Sequence, residues 1–185
     1  MNYGAFAVCI GIWEMPRGFT LLELLITIAV MSVLLAAAAP SFQNVFETNK
    51  MQRLANELHG FVIEGKSEAV LRRERLWAHI IMSGSSSSDG NWRIDLTDNG
   101  AEGAGTVLFS LSGKPYDGIV VTPSYDSDQI SFDDVYGRPS SGSLKFHPVG
   151  ESSKVLKLIS HTLSARVRVC SDSNSTEYYG YSTCS

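Results

Sequence analysis

From Phe19 to Ala39 the chain runs for 21 residues with a single ionisable group, Glu23. An apolar block of about 20 residues crosses the hydrocarbon core of a bilayer as a helix, which marks Phe19–Ala39 as a transmembrane segment. A cleaved secretory signal is the rival reading, because Ala37-Ala38-Ala39 has the small-residue pattern of a signal cleavage site. Against it stand the length of the block, Pro40 directly after such a cut, and the carboxylate inside it. An acid in hydrocarbon costs about 2.5–3.5 kcal/mol on insertion scales and asks for a partner. The block itself holds none. Cleavage between Gly18 and Phe19 would create one: an α-amino group, cationic near neutral pH. It would stand four residues before Glu23, about one helical turn away, or on a neighbouring chain in a bundle.

The stretch "RGFTLLELL" resembles the processing signal of type IV prepilins and of type II secretion pseudopilins. The resemblance implies that a prepilin peptidase cuts after Gly18, that the new terminus Phe19 is N-methylated, and that Glu23 is the assembly carboxylate that registers each subunit on its neighbour. It also implies a helix kink at Pro40. Residues 1–18 are then the leader, and they depart from the usual short basic form: "MNYGAFAVCIGIWE" is mostly apolar, with one acid and no base. A start at Met15 would give the ordinary short leader "MPRG" and remove Cys9.

After Pro40 the pattern becomes amphipathic. Phe42, Val45, Met51, Leu54, Leu58, Phe61, Val62 and Ala69 recur every three or four residues, the helical period. Residues 40–76 therefore continue the helix of 19–39, weakened locally by Gly60 and Gly65. "LRRERL" supplies cations near its C-terminal end, where the helix dipole favours them. Residues 77–185 form a periplasmic β-rich domain. The runs "LWAHIIM", "WRIDL", "TVLFSL", "GIVVT", "QISF", "SLKFH", "KVLKLIS" and "ARVRVC" are strand-like, separated by Gly, Ser, Asp, Asn and Pro. A long helix followed by many strands reads as α+β, with an antiparallel β-domain packed on the helix's apolar stripe. The resemblance implies the type IV pilin-like form of that fold.

Chemistry finds little to work with. His59, His79, His147 and His161 are scattered, and there is no H-E-x-x-H, paired C-x-x-C, G-x-S-x-G or P-loop pattern. "DSDQISFDD" lacks the Gly and terminal Glu of an EF-hand loop and reads as a solvated acidic loop. No enzyme, cofactor or metal centre is expected. If the apolar block spans an inner membrane, the domain beyond it faces an oxidising compartment, where disulfides persist. Cys170 and Cys184 would then close a loop worth roughly 3 kcal/mol. Two free buried thiols are the alternative, which suits a polar, Ser-rich tail less well.

The overall net charge of −4 is unevenly spread. Residues 77–137 carry nine acids against Arg93 and Lys114, whereas 138–170 carry six bases against Glu151 alone. In "ARVRVC" a strand would point Arg166 and Arg168 to one face and Val167 and Val169 to the other. With Lys154 and Lys157 nearby, two arginine forks could hold successive phosphates. An exposed polar strand face that keeps an edge soluble is the plainer reading.

The long helix, the β-domain and Arg-x-Arg before a cysteine resemble the FimT/FimU minor pilins, grouped with the type II secretion pseudopilin GspH. Some FimT-like members bind DNA through Gly-Arg-x-Arg; here Ala165 stands where that glycine would be. The resemblance implies a minor pilin, inserted in the inner membrane with its domain in the periplasm and then assembled into or at the tip of a type IV pilus. Its partners would be the prepilin peptidase, other pilins through the N-terminal helix, and DNA. The alternative is the H-type pseudopilin of a type II secretion system. The cysteine pair favours the pilus, since C-terminal disulfide loops resemble minor pilins more than secretion pseudopilins.

Overall fold

The computed structural model describes residues 18–173 and 176–184, with backbone alone at 37–41 and 43. Two compact units meet at Gln43/Asn44, and helix α1, Leu21–Arg72, contributes to both.

In the first unit the helical residues are apolar on every side. Leu21, Leu22, Leu24, Leu25, Met31 and Leu35 are all exposed. Besides Glu23, its two hydroxyl residues are satisfied on the helix itself: Thr27 Oγ1 donates to Leu24 O at 2.8 Å and Ser32 Oγ to Ile28 O at 2.7 Å. Such back-bonding is how hydroxyls are accommodated in an apolar helix. Among the described residues no helix is long and apolar enough to cross a membrane. The stretch with described side chains, 21–36, stops short of the roughly 20 residues that a span requires.

In the second unit α1 buries Met51, Leu54, Ala55, Leu58, Phe61, Val62 and Ala69, each large side chain contributing about 1.5–3 kcal/mol. Phe42 and Val45, expected in the same stripe, are exposed; the buried row begins only at Met51. Gly65 lies mid-helix at a cost of about 1 kcal/mol relative to Ala. The cause is close packing: a Cβ there would stand 2.9 Å from the Phe132 ring.

The helix, expected to reach residue 76, ends at Arg72. Arg73 takes φ 56°, its N–H donates to Val70 O, and Glu74 N–H donates to Ala69 O. This is the hydrogen-bond pair of a Schellman stop, with arginine at the left-handed position that glycine usually fills.

Each of the eight strand-like runs forms a strand: β1 Leu76–Met82, β2 Trp92–Thr97, β3 Val107–Ser112, β4 Ile119–Ser124, β5 Gln129–Phe132, β6 Gly142–Pro148, β7 Leu156–His161 and β8 Arg166–Ser171. They make two four-stranded sheets, ordered β3-β2-β1-β5 and β4-β6-β7-β8. Every pairing within them is antiparallel. The inward residues alternate as strand geometry requires: Leu76, Ala78 and Ile80 on β1, Leu144 and Phe146 on β6, Leu156 and Leu158 on β7. With the buried row of α1 they form one core.

Cys170 and Cys184 are bonded, with Cα atoms 5.1 Å apart. The tail that this bond holds also docks on the helix. Gln52 Nε2 donates to Tyr179 O at 2.9 Å, Tyr179 Oη to Glu47 Oε1 at 3.0 Å, and Tyr181 Oη to Asn56 Oδ1 at 3.2 Å.

Candidate functional site

The first site is the start of α1. Gly18, Phe19 and Thr20 have no regular structure, Phe19 is exposed, and no atom beyond its neighbours approaches the Cβ position of Gly18. Thr20 is the N-cap: its carbonyl accepts from Leu24 N–H at 3.1 Å and its Oγ1 from Glu23 N–H at 3.2 Å. Thr20-Leu21-Leu22-Glu23 thus has the T-x-x-E pattern of a capping box, with Glu23 at the third helical position. A carboxylate in the first turn also suits the helix dipole. This local role was legible in the sequence, but the reading of Glu23 as an assembly carboxylate passed over it. Pro40 lies within α1, but its side chain, and with it the expected kink, lies outside the described residues; so do the leader residues 1–17 and Cys9.

The second site is the outer face of the β4-β6-β7-β8 sheet. The β7–β8 register places His161 opposite Arg166, Ile159 opposite Arg168 and Lys157 opposite Cys170. Val167 and Val169 lean on the core from the other face. An open concavity of about 440 Å³ is lined by Ser124, Ser143, Lys157, Ile159, His161 and Arg168, and exposed Arg166 stands at its hairpin end. Arg166, Arg168 and Lys157 therefore share one face, on which Ser124, Ser143 and His161 join them.

Lys154 is elsewhere. It precedes β7 at the end remote from the β7–β8 hairpin and pairs with Glu151 at 3.2 Å. Lys157 is not a lone cation either, since its Nζ lies 2.7 Å from Asp172, whose other oxygen holds Lys145 at 2.8 Å. Burial opposes the Asp172 charge, but the hydrogen bonds and charges of the two lysines outweigh it and hold the carboxyl below its usual range. The salt bridge crosses from β6 and β7 to the residue after β8, so residue spacing gave no sign of it.

The β7–β8 hairpin shows what replaces the glycine of Gly-Arg-x-Arg. Ala165 takes φ 52°, the left-handed conformation that glycine adopts without strain. Its carbonyl accepts from Lys66 Nζ of α1 at 2.8 Å.

Elsewhere the polar groups serve the fold. Buried His79 bonds Asn99 O through Nε2 at 2.9 Å, and His147 Nδ1 lies 2.9 Å from Pro148 O. In the acidic run Asp126, Asp128 and Asp134 are exposed, while Asp133 accepts from the N–H groups of Val135, Tyr136 and Arg138. Among the described residues no group of side chains is placed to hold a metal ion.

Residues 15–39 match the family model of the prokaryotic N-terminal methylation motif. Fimbrial protein Q of Moraxella bovis is 28% identical over 152 residues, 72% of this chain and 96% of that protein. A fimbrial protein of Pseudomonas aeruginosa is 28% identical over 126 residues, 62% of this chain and 82% of that one. The crystal structure of the type IV minor pilin FimU of Pseudomonas aeruginosa superposes with a TM-score of 0.54 over 66% of this chain and 90% of its own, at 16% identity. The chain thus carries the methylation motif and is similar to type IV fimbrial proteins in sequence and to a type IV minor pilin in fold. The long helix and antiparallel sheets are those of the pilin-like fold.

Proposed function

We propose that this protein is a pilin, a minor subunit of a type IV pilus. Phe19–Ala39 anchors it once in the inner membrane with the β-domain in the periplasm; the prepilin peptidase cuts between Gly18 and Phe19, and Phe19 is then N-methylated. Glu23 pairs with the α-amino group of a neighbouring subunit as the helix packs into the filament, and Pro40 bends that helix. The observation that carries this reading is the methylation motif over 15–39, joined to an open Gly18–Phe19 segment that leads into α1.

The display of Arg166 and Arg168 on one sheet face supports a second function, capture of DNA through its phosphates. The FimU likeness bears on fold alone, so this step rests on the charges. Gly18→Ala should leave an uncut precursor in cells that hold the peptidase, and normal maturation of that variant would overturn the pilin processing scheme. For DNA, the full chain in detergent should bind with an affinity that falls with salt. Arg166→Gln/Arg168→Gln should flatten the slope of log K against log salt by roughly 2. Absence of binding by the unaltered chain at low salt would reduce the arginines to a solvated strand face.

A further inference from the structure

Beside the hairpin that bears Arg166 lies a second exposed loop, and the structure ties the two together. Gly137 sits so close to α1 that a Cβ there would stand 2.4 Å from Lys66 O, while Lys66 Nζ holds Ala165 O. Both loops thus meet the same lysine, one packed against its main chain and the other bonded to its ammonium. Three further bonds join them: Ser160 Oγ donates to Ser140 O at 2.6 Å, Thr162 N–H to Ser141 Oγ at 3.0 Å, and the Ser141 and Thr162 hydroxyls are 3.1 Å apart. Next to Gly137, Tyr136 is 67% exposed, and the Arg138 guanidinium lies 4.5 Å from its ring centroid.

A large aromatic ring so exposed gains nothing from burial. With a guanidinium over the ring and Arg166 on the loop stitched to it, the tyrosine has the elements of a stacking platform for an unpaired base, with cations at hand for the flanking phosphates. Two acids stand nearby. Asp133 is occupied by three N–H groups of its own loop, and Asp134 is exposed, so the local charge favours a strand that approaches from the arginine side.

We propose that Tyr136, backed by Arg138, stacks an unpaired base of single-stranded DNA, or of a frayed duplex end, whose phosphates lie along Arg166 and Arg168. The inference rests on the DNA reading above and adds to it a preference for unpaired bases.

The test compares the full chain in detergent on a fluorescent oligo-dT and on a blunt hairpin duplex of equal charge, with Tyr136→Ala, Tyr136→Trp and Arg166→Gln/Arg168→Gln. Tyr136 is exposed, so Tyr136→Ala should unfold at the same temperature as the unaltered chain. The unaltered chain should favour oligo-dT. Tyr136→Ala should weaken that binding about tenfold or more with an unchanged salt slope, whereas the arginine pair should change the slope. Tyr136→Trp should restore binding. Equal binding of the alanine variant, or equal affinity for the duplex, would overturn the stacking site and leave the phosphate face standing. No binding of either DNA by the unaltered chain would overturn both.

Discussion

Ala165→Gly is a substitution that should make this protein more stable. Ala165 closes the β7–β8 hairpin at φ 52°, and a residue with a Cβ in the left-handed region bears about 1–2 kcal/mol of strain. Glycine removes that strain but widens the unfolded ensemble, which returns about 0.4–1 kcal/mol. The tie to α1 survives, because Lys66 donates to the main-chain oxygen of residue 165. The net expectation is a gain of about 0.5–1 kcal/mol, a rise in Tm of roughly 1–4 °C for a unit of this size. Ala165→Val should move the other way by more than 1 kcal/mol, because a β-branched residue tolerates φ > 0 poorly. Thermal and urea unfolding of the unit 44–185, with the disulfide intact, would measure both. A glycine variant no more stable than the parent, or a neutral valine variant, would refute the strain argument. Since alanine already holds the left-handed geometry, Ala165→Gly should leave DNA affinity within about twofold.

The N-terminal site separates two roles of Glu23: Glu23→Gln keeps a residue able to serve the capping box but loses the charge, whereas Glu23→Val loses both. Both variants should fail to enter filaments, as judged by immunoblot of sheared pili, and wild-type incorporation of Glu23→Gln would assign Glu23 to capping alone. Reduction of Cys170–Cys184 should lower the unfolding free energy by roughly 3 kcal/mol in urea titrations and release the tail from Glu47, Gln52 and Asn56; an unchanged midpoint would show the tail to be held without it. Asp172→Asn should strengthen DNA binding at low salt several-fold by unbinding Lys145 and Lys157, and unchanged binding would place those lysines outside the phosphate path. Asp172 titrates below its ordinary value of about 3.9, so its contribution to stability is full above that pH and lost as pH falls through the depressed value. Acid unfolding of Asp172→Asn should therefore begin from a lower stability and depend less on pH.

The β-domain was legible because alternation of apolar and polar residues, bounded by Gly, Ser, Asp and Pro, is a local signal. The eight runs needed no knowledge of their partners. The end of α1 was not legible: Arg73 gives no hint of the left-handed turn it makes, and a pair of hydrogen bonds accepted by the Ala69 and Val70 carbonyls fixes it instead. Grouping Lys154 with Arg166 failed for a different reason. Nearness in sequence says nothing about which end of a strand a residue occupies, and β7 runs between them. The partnership of Asp172 with Lys145 and Lys157, and the stitching of the Tyr136 loop to the hairpin, depend on tertiary neighbours. No residue spacing encodes them.

The central claim, that this chain is matured and assembled as a pilin, is tested most directly by its mature N-terminus. The chain would be produced with an active prepilin peptidase and its methyltransferase function, and its N-terminal peptide sequenced by mass spectrometry. The account predicts a peptide that begins at Phe19 and carries one methyl group on its α-nitrogen. A terminus after Ala39, or an intact Gly18–Phe19 bond in protein recovered from filaments, would contradict it.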